Sequence, residues 1–244
     1  MSLDLKGRCT SSAEQINISL LPDGKQSLND IWHGMQFNIW GLWLRQYLDL
    51  LYRLRVFRER RHYLGKDRTM QLWAVPQAFG EHDHWSRSPT GDEFLLMCTV
   101  YLIEGAVGLM GWREDAKTTA DLKKGAAKIG NALPEIMPFL GLPQAFLPIP
   151  PSTPYPNDTF IARVWPNPKN NTMLVLVANL VEQSVNWTIK PPKSSFLPQG
   201  KNIVTKTLYL SEGEASANVT VSGESISLTG TIQGLGCGAW IIPM

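Results

Sequence analysis

The sequence predicts two structural classes in series: an α/β layer with parallel strands up to about residue 140, then an all-β antiparallel sandwich. Three observations predict it. Residues 70–140 alternate strand, helix, strand, helix. Residues 141–156 hold six prolines, which stiffen the chain and mark a boundary. Beyond them the apolar period becomes two, in short runs separated by turn residues.

Residues 1–30 are polar and mixed, with a Pro-Asp-Gly turn at 22–24, and no element is assigned there. From 31 to 64, Trp32, Phe37, Trp40, Trp43, Leu44, Tyr47, Leu48, Leu51 and Leu54 recur at helical spacing. Between 45 and 61 six arginines stand against Asp49 and Glu59. Such a basic amphipathic helix lies either on a membrane surface or, the favoured reading, on a sheet whose edge the arginine stems cover. Met70–Val75 is a short apolar strand stopped by Pro76. Thr90 and Glu93 form a capping box for a helix ending near Glu104 and Gly105. Residues 106–112 are a second apolar strand, apolar throughout as in a sheet covered on both faces. Thr118 or Thr119 caps a last helix, which Pro134 is expected to kink or end. Seven strands are then expected: 159–165, 172–180, 184–190, 203–210, 218–221, 225–229 and 237–242. The predicted domains are 1–140, the linker 141–156, and the sandwich 157–244.

The totals set limits. Apolar residues make up 43% of 244, enough for a core, and the net charge of +2 gives no reason to expect nucleic acid as a partner. Cys9, Cys98 and Cys237 have no zinc or disulfide spacing and are expected as thiols, two of them buried; a Cys98–Cys237 bridge would have to join the two halves. The N-terminal residues show no signal-peptide core, and the longest uncharged apolar stretch, 31–44, is too short to span a bilayer. Five Asn-X-Ser/Thr sequons, at Asn17, Asn157, Asn170, Asn186 and Asn218, exceed what the composition yields by chance. Their excess points to a secreted, N-glycosylated family; the localisation of this chain itself is left open.

The run Gln-Leu-Trp-Ala-Val-Pro-Gln-Ala-Phe-Gly at 71–80 resembles a phrase on the seventh barrel strand of fungal and bacterial glycoside-hydrolase-like proteins. Trp85, Arg87, Pro89, Thr90 and Glu93 continue the match, and Gly105, Ala106, Val107, Gly108 and Leu109 match near the eighth strand. The resemblance covers roughly 66–244 and implies the C-terminal part of a (β/α)8 barrel with its trailing β-sandwich. A whole barrel needs about 250 residues and eight strand–helix units. Only two units are placed here, so the resemblance implies a partial, truncated barrel that is catalytically incomplete.

Barrel sites form at the C-terminal ends of strands, here the loops 77–88 and 112–117. Glycoside hydrolysis needs two carboxyl groups there. Where related barrels carry a nucleophilic Glu, this chain has Gln77. Glu81 and Glu114, one per loop, are the catalytic candidates. Gln77, Trp85, Arg87 and Trp112 are the substrate-binding candidates, with Trp85, Phe79 and Trp112 offering faces for sugar rings. His82-Asp83-His84 lacks a third ligand, so no metal is expected, and no cofactor is expected either. Carbohydrate is the expected partner. Self-association through exposed sheet edges is a further expectation, and a membrane surface is the less favoured partner. The alternatives are a non-catalytic glycan- or protein-binding remnant and a membrane-surface protein acting through 31–61.

Overall fold

The computed structural model describes residues 42–66, 69–80, 87–114, 117–142, 160–190, 205–212, 215–222 and 225–243. The chain divides into two compact units, Met1–Leu42 and Trp43–Met244, and nearly all the described residues belong to the second. The helices and first strands are α1 (Leu42–Tyr63), β1 (Leu72–Ala74), α2 (Gly91–Ile103), β2 (Ala106–Leu109) and α3 (Ala120–Leu140). Strands β3 (Phe160–Asn167), β4 (Thr172–Asn179), β5 (Val185–Ile189), β6 (Lys206–Leu210), β7 (Ala215–Ser222), β8 (Ser225–Ile232) and β9 (Cys237–Pro243) come after them.

β1 and β2 pair in parallel, Leu72 with Ala106 and Trp73 with Gly108, as the strand–helix alternation predicts. They make a sheet of two strands, and among the described residues no closed barrel forms. Both strands are shorter than predicted. β1 loses Met70, Gln71 and Val75, and β2 stops at Leu109.

Each helix start has a local cause. The Thr90 side chain accepts from the Glu93 amide at 3.2 Å while the Glu93 carboxylate accepts from the Thr90 amide at 2.7 Å. Thr119 caps α3 through the Leu122 amide. Pro134 does not end α3, which runs on through Pro134 and Pro138. Both prolines are exposed, so the carbonyls they leave unpaired face water. Ile129, Ala132, Ile136 and Phe139 bury the opposite face and hold the helix in place. α2 and α3 cross closely, since a side chain at Gly125 would stand 2.2 Å from the Gly91 carbonyl oxygen.

The remaining strands form two antiparallel sheets, ordered β3-β4-β9-β6 and β5-β8-β7. Alternation along β4 explains the layering. Met173, Val175 and Val177 face Trp187, Ile189, Leu228 and Ile232 of the second sheet. Leu174, Leu176 and Ala178 face the other way, into one core with Leu51, Phe94, Leu102 and Ile136 of the helices. The four-stranded sheet is thus covered on both sides, and the apolar run of β4 is the sequence trace of that burial. Of the expected linker, 143–156 lies outside the described residues.

Candidate functional site

The parallel pairing continues past the ends of β1 and β2. Met110 donates to the Ala74 carbonyl at 2.9 Å, Trp112 to the Pro76 carbonyl at 2.9 Å, and Ala78 to the Trp112 carbonyl at 2.6 Å. The last of these belongs to a parallel bridge between Gln77 and Trp112. Two substrate-binding candidates therefore stand side by side at the C-terminal ends of parallel strands, the usual position of a barrel site.

Their side chains are differently engaged. Gln77 Nε2 donates to the Phe79 carbonyl at 2.7 Å, so the amide folds into its own loop. The Phe79 and Trp112 rings lie 6.3 Å apart and tilted at 39°. Arg113 sits over the other aromatic, its guanidinium carbon 5.8 Å from the Phe79 ring centre. Trp112 is 53% exposed, enough to offer a face. Trp73, which no sequence pattern singles out, is 61% exposed, and a side chain at its neighbour Gly108 would meet its ring at 2.7 Å. That contact depends on the register between β1 and β2, which residue pattern alone does not reveal.

Glu114 is less well placed for hydrolysis. Glu114 pairs with Lys123 at 2.8 Å with both side chains largely exposed, so it is a solvated ion pair. It lines a cavity of about 280 Å³ with Arg113, Lys123, Phe94, Leu109 and Leu122, among others. Among the described residues lining that cavity, Glu114 is the one carboxylate. Glu81, Trp85 and the His82-Asp83-His84 triplet lie outside the described residues.

Arg87 has a structural task. Its two terminal nitrogens grip Glu93, Nη1 to Oε2 at 2.7 Å and Nη2 to Oε1 at 2.5 Å. Burial opposes ionisation of Glu93, but the hydrogen bonds from Arg87 and Thr90 outweigh it and hold the carboxyl below its ordinary range. The guanidinium is raised chiefly by the same bond. Arg87 thus anchors the N-terminus of α2 through the capping glutamate.

A second ion cluster lies elsewhere. Glu104, 2% exposed, accepts from Arg58 Nη1 at 2.6 Å and from Arg55 Nε at 3.4 Å. Arg163 Nη1 of β3 donates to the neighbouring Ile103 carbonyl at 2.8 Å. This is what the arginine run of α1 does on its inner side: two of its members tie the helix to the end of α2.

The remaining sequence candidates divide by position. Asn170 is exposed in the β3–β4 turn. Asn186 is exposed on β5, where its Oδ1 accepts from Thr231 Oγ1 at 2.7 Å. Asn17 and Asn157 lie outside the described residues, as does the side chain of Asn218 on β7. Cys98 and Cys237 are free and buried, and burial pushes the Cys237 thiol up to about 12. Among the described residues no helix is long and apolar enough to cross a membrane.

No protein-family model matches the chain, and no curated protein matches it. Solved structures give partial likenesses. An α-amylase from Geobacillus thermoleovorans, complexed with acarbose, aligns with a TM-score of 0.47 at 13% identity, covering 82% of this chain and 43% of that one. An endoxylanase from Clostridium papyrosolvens aligns at 0.44 and 14% identity, covering 75% and 44%. A putative α-N-acetylgalactosaminidase from Bacillus halodurans aligns at 0.44 and 15% identity, covering 94% and 49%. The chain spans less than half the length of each of these three.

Proposed function

We propose that this is a glycoside-hydrolase-like protein, a partial barrel with a trailing sandwich, which binds carbohydrate at its strand ends without hydrolysing it. The Gln77–Trp112 bridge carries the reading. It sets the backbone of Gln77 beside that of Trp112, whose indole is exposed, where parallel strands end, the place where barrel proteins keep their sites. The resemblance at 71–80 supports the same assignment. Against hydrolysis stand Gln77 in the place of a nucleophile and the engagement of Glu114 by Lys123. A retaining or inverting mechanism needs two carboxyl groups held at fixed separation.

Trp112, with Trp85, would stack on sugar rings, and the Gln77 side-chain oxygen would accept from a sugar hydroxyl, its Nε2 already donating to the Phe79 carbonyl. Glu81 remains the other carboxyl candidate. The sequons at Asn157, Asn170, Asn186 and Asn218 are read as glycan attachment sites of a secreted family, and 141–156 as the boundary between the two parts. The test is calorimetric titration of xylo-, malto- and cello-oligosaccharides into the purified chain. Weak binding that disappears in Trp112→Ala supports the proposal. No binding to any glycan, with tryptophan fluorescence unmoved, rejects it and favours a protein-binding remnant.

A further inference from the structure

We propose that the groove between β2 and α3 binds an amphipathic carboxylate, a small acid with an apolar tail of about eight to ten carbons. The inference goes beyond the carbohydrate reading and does not rest on it. Side chains alternate along a strand, so Leu109 and Gly111 face this groove while Met110 and Trp112 face the other side. A side chain at Gly111 would point to Ala78 and Phe94, at 3.6 and 3.7 Å, which fixes that direction.

The groove has a floor and two walls. Phe94 and Cys98 of α2 make the floor, Leu109 one wall, and Leu122, Ile129 and Leu133 of α3 the other. Gly111 and Gly130 line it without a side chain to fill it, and a side chain at Gly130 would meet nothing within 4 Å. The space is about 280 Å³. A cavity of about 150 Å³ with such a lining stays dry and takes up benzene, so this one admits roughly twice that bulk. It is long rather than round, because Lys123 and Leu133 stand about 15 Å apart along the axis of α3. A chain suits that shape better than a ring.

The lining is polar at one end alone, and that end names the head group. Arg113, Glu114, Thr118 and Lys123 gather where β2 ends and α3 begins, and the Glu114–Lys123 pair at 2.8 Å closes the two walls there. Among the described lining residues two cations stand against one carboxylate, and the first turn of α3 adds its positive pole. A ligand carboxylate would take Lys123 from Glu114, whose side chain is 71% exposed and can turn to water. A cationic head would meet Arg113 and Lys123. A sugar would press its hydroxyls against leucine and isoleucine with no partner, so the groove is not a second glycan site.

Calorimetric titration of the whole chain with decanoate, hexanoate, decanol and decyltrimethylammonium tests the proposal. Decanoate should bind at one site per chain. Hexanoate should bind on the order of a hundredfold more weakly, since each buried methylene is worth about fourfold. Decanol and the ammonium, with the same tail, should each bind about fivefold more weakly or worse. Ala126→Trp, which fills the groove from α3, should abolish binding. Lys123→Gln, at an exposed position that the fold does not need, should weaken decanoate about fivefold and leave decanol unchanged. It decides the matter even where the tryptophan variant fails to fold. No uptake of decanoate by the unaltered chain overturns the proposal. So does equal uptake of all four compounds, or decanoate binding indifferent to both substitutions, which would be adsorption on exposed apolar surface. A chain that self-associates unless Ala126 is replaced, and takes up no decanoate, also overturns it and gives the groove to a second copy.

Discussion

Arg58 of α1 donates to the buried carboxylate of Glu104 at 2.6 Å, and Arg55 reaches the same group at 3.4 Å. This ion pair joins the helix that precedes β1 to the end of the helix that comes after it. Glu104 is almost without solvent, whereas the arginine side chains keep a quarter to a third of theirs. Replacing both Arg55 and Arg58 with alanine should therefore cost the most, about 3–5 kcal/mol, because it strands a buried charge. Glu104→Gln should cost less, since the arginines can turn to water. Urea unfolding of the three proteins checks the order; equal losses would show that the pair acts mainly through packing.

Arg87 and Glu93 predict a pH dependence. The carboxyl of folded Glu93 lies below its ordinary range, so the folded state binds fewer protons than the unfolded one. Its stabilisation is present above about pH 4.3 and is lost as pH falls through the folded value. The pair is partly exposed, Arg87 at 41% and Glu93 at 19%, so the contribution should be modest, about 1 kcal/mol at pH 7. The stability gap between wild type and Glu93→Gln should narrow on going from pH 7 to about pH 3. A gap that stays constant would mean the shift has no thermodynamic consequence.

Gly125 should tolerate no side chain. Alanine there would press a methyl against the Gly91 carbonyl at 2.2 Å, a backbone group that cannot swing aside as a flexible side chain would. The expected cost is about 2 kcal/mol or more, read as a lower Tm, because α2 and α3 would have to separate. Gly130→Ala is the control, since a side chain at Gly130 meets nothing within 4 Å. It should be neutral or slightly stabilising. Equal effects at both positions would contradict the close crossing.

The fragment 157–244 keeps the core between the two sheets but bares Ile161, Trp165, Leu174, Leu176 and Tyr209, which face the helices in the intact chain. It should show a strand-rich circular dichroism spectrum and elute as an oligomer. A well-behaved monomer would mean that the helix layer is dispensable to the sheet.

The elements are legible in the sequence wherever the cause is local. The Thr90–Glu93 capping box depends on residues three apart, and the seven late strands on a period of two. Pro134 does not end α3 because its effect on a helix depends on which face it occupies, and that comes from packing rather than from the residue. The apolar run of β4 shows burial on both faces without showing that helices provide one of them. At the site, the nearness of Gln77 and Trp112 is a consequence of parallel strands of similar length. The partners that change their meaning are not legible. Lys123 comes to Glu114 from the first turn of another helix, Glu93 reaches Arg87 across a loop, and Gln77 turns to its own loop carbonyl. Each depends on the path of a connection, which no periodicity encodes.

The most direct measurement is turnover of an aryl-glycoside panel by the purified chain, with Glu81→Ala and Glu114→Ala alongside. The expected result is no release of aglycone above the uncatalysed rate from any of the three proteins, because hydrolysis needs two positioned carboxyl groups. Turnover by the unaltered chain that either substitution abolishes would contradict it and make that glutamate catalytic.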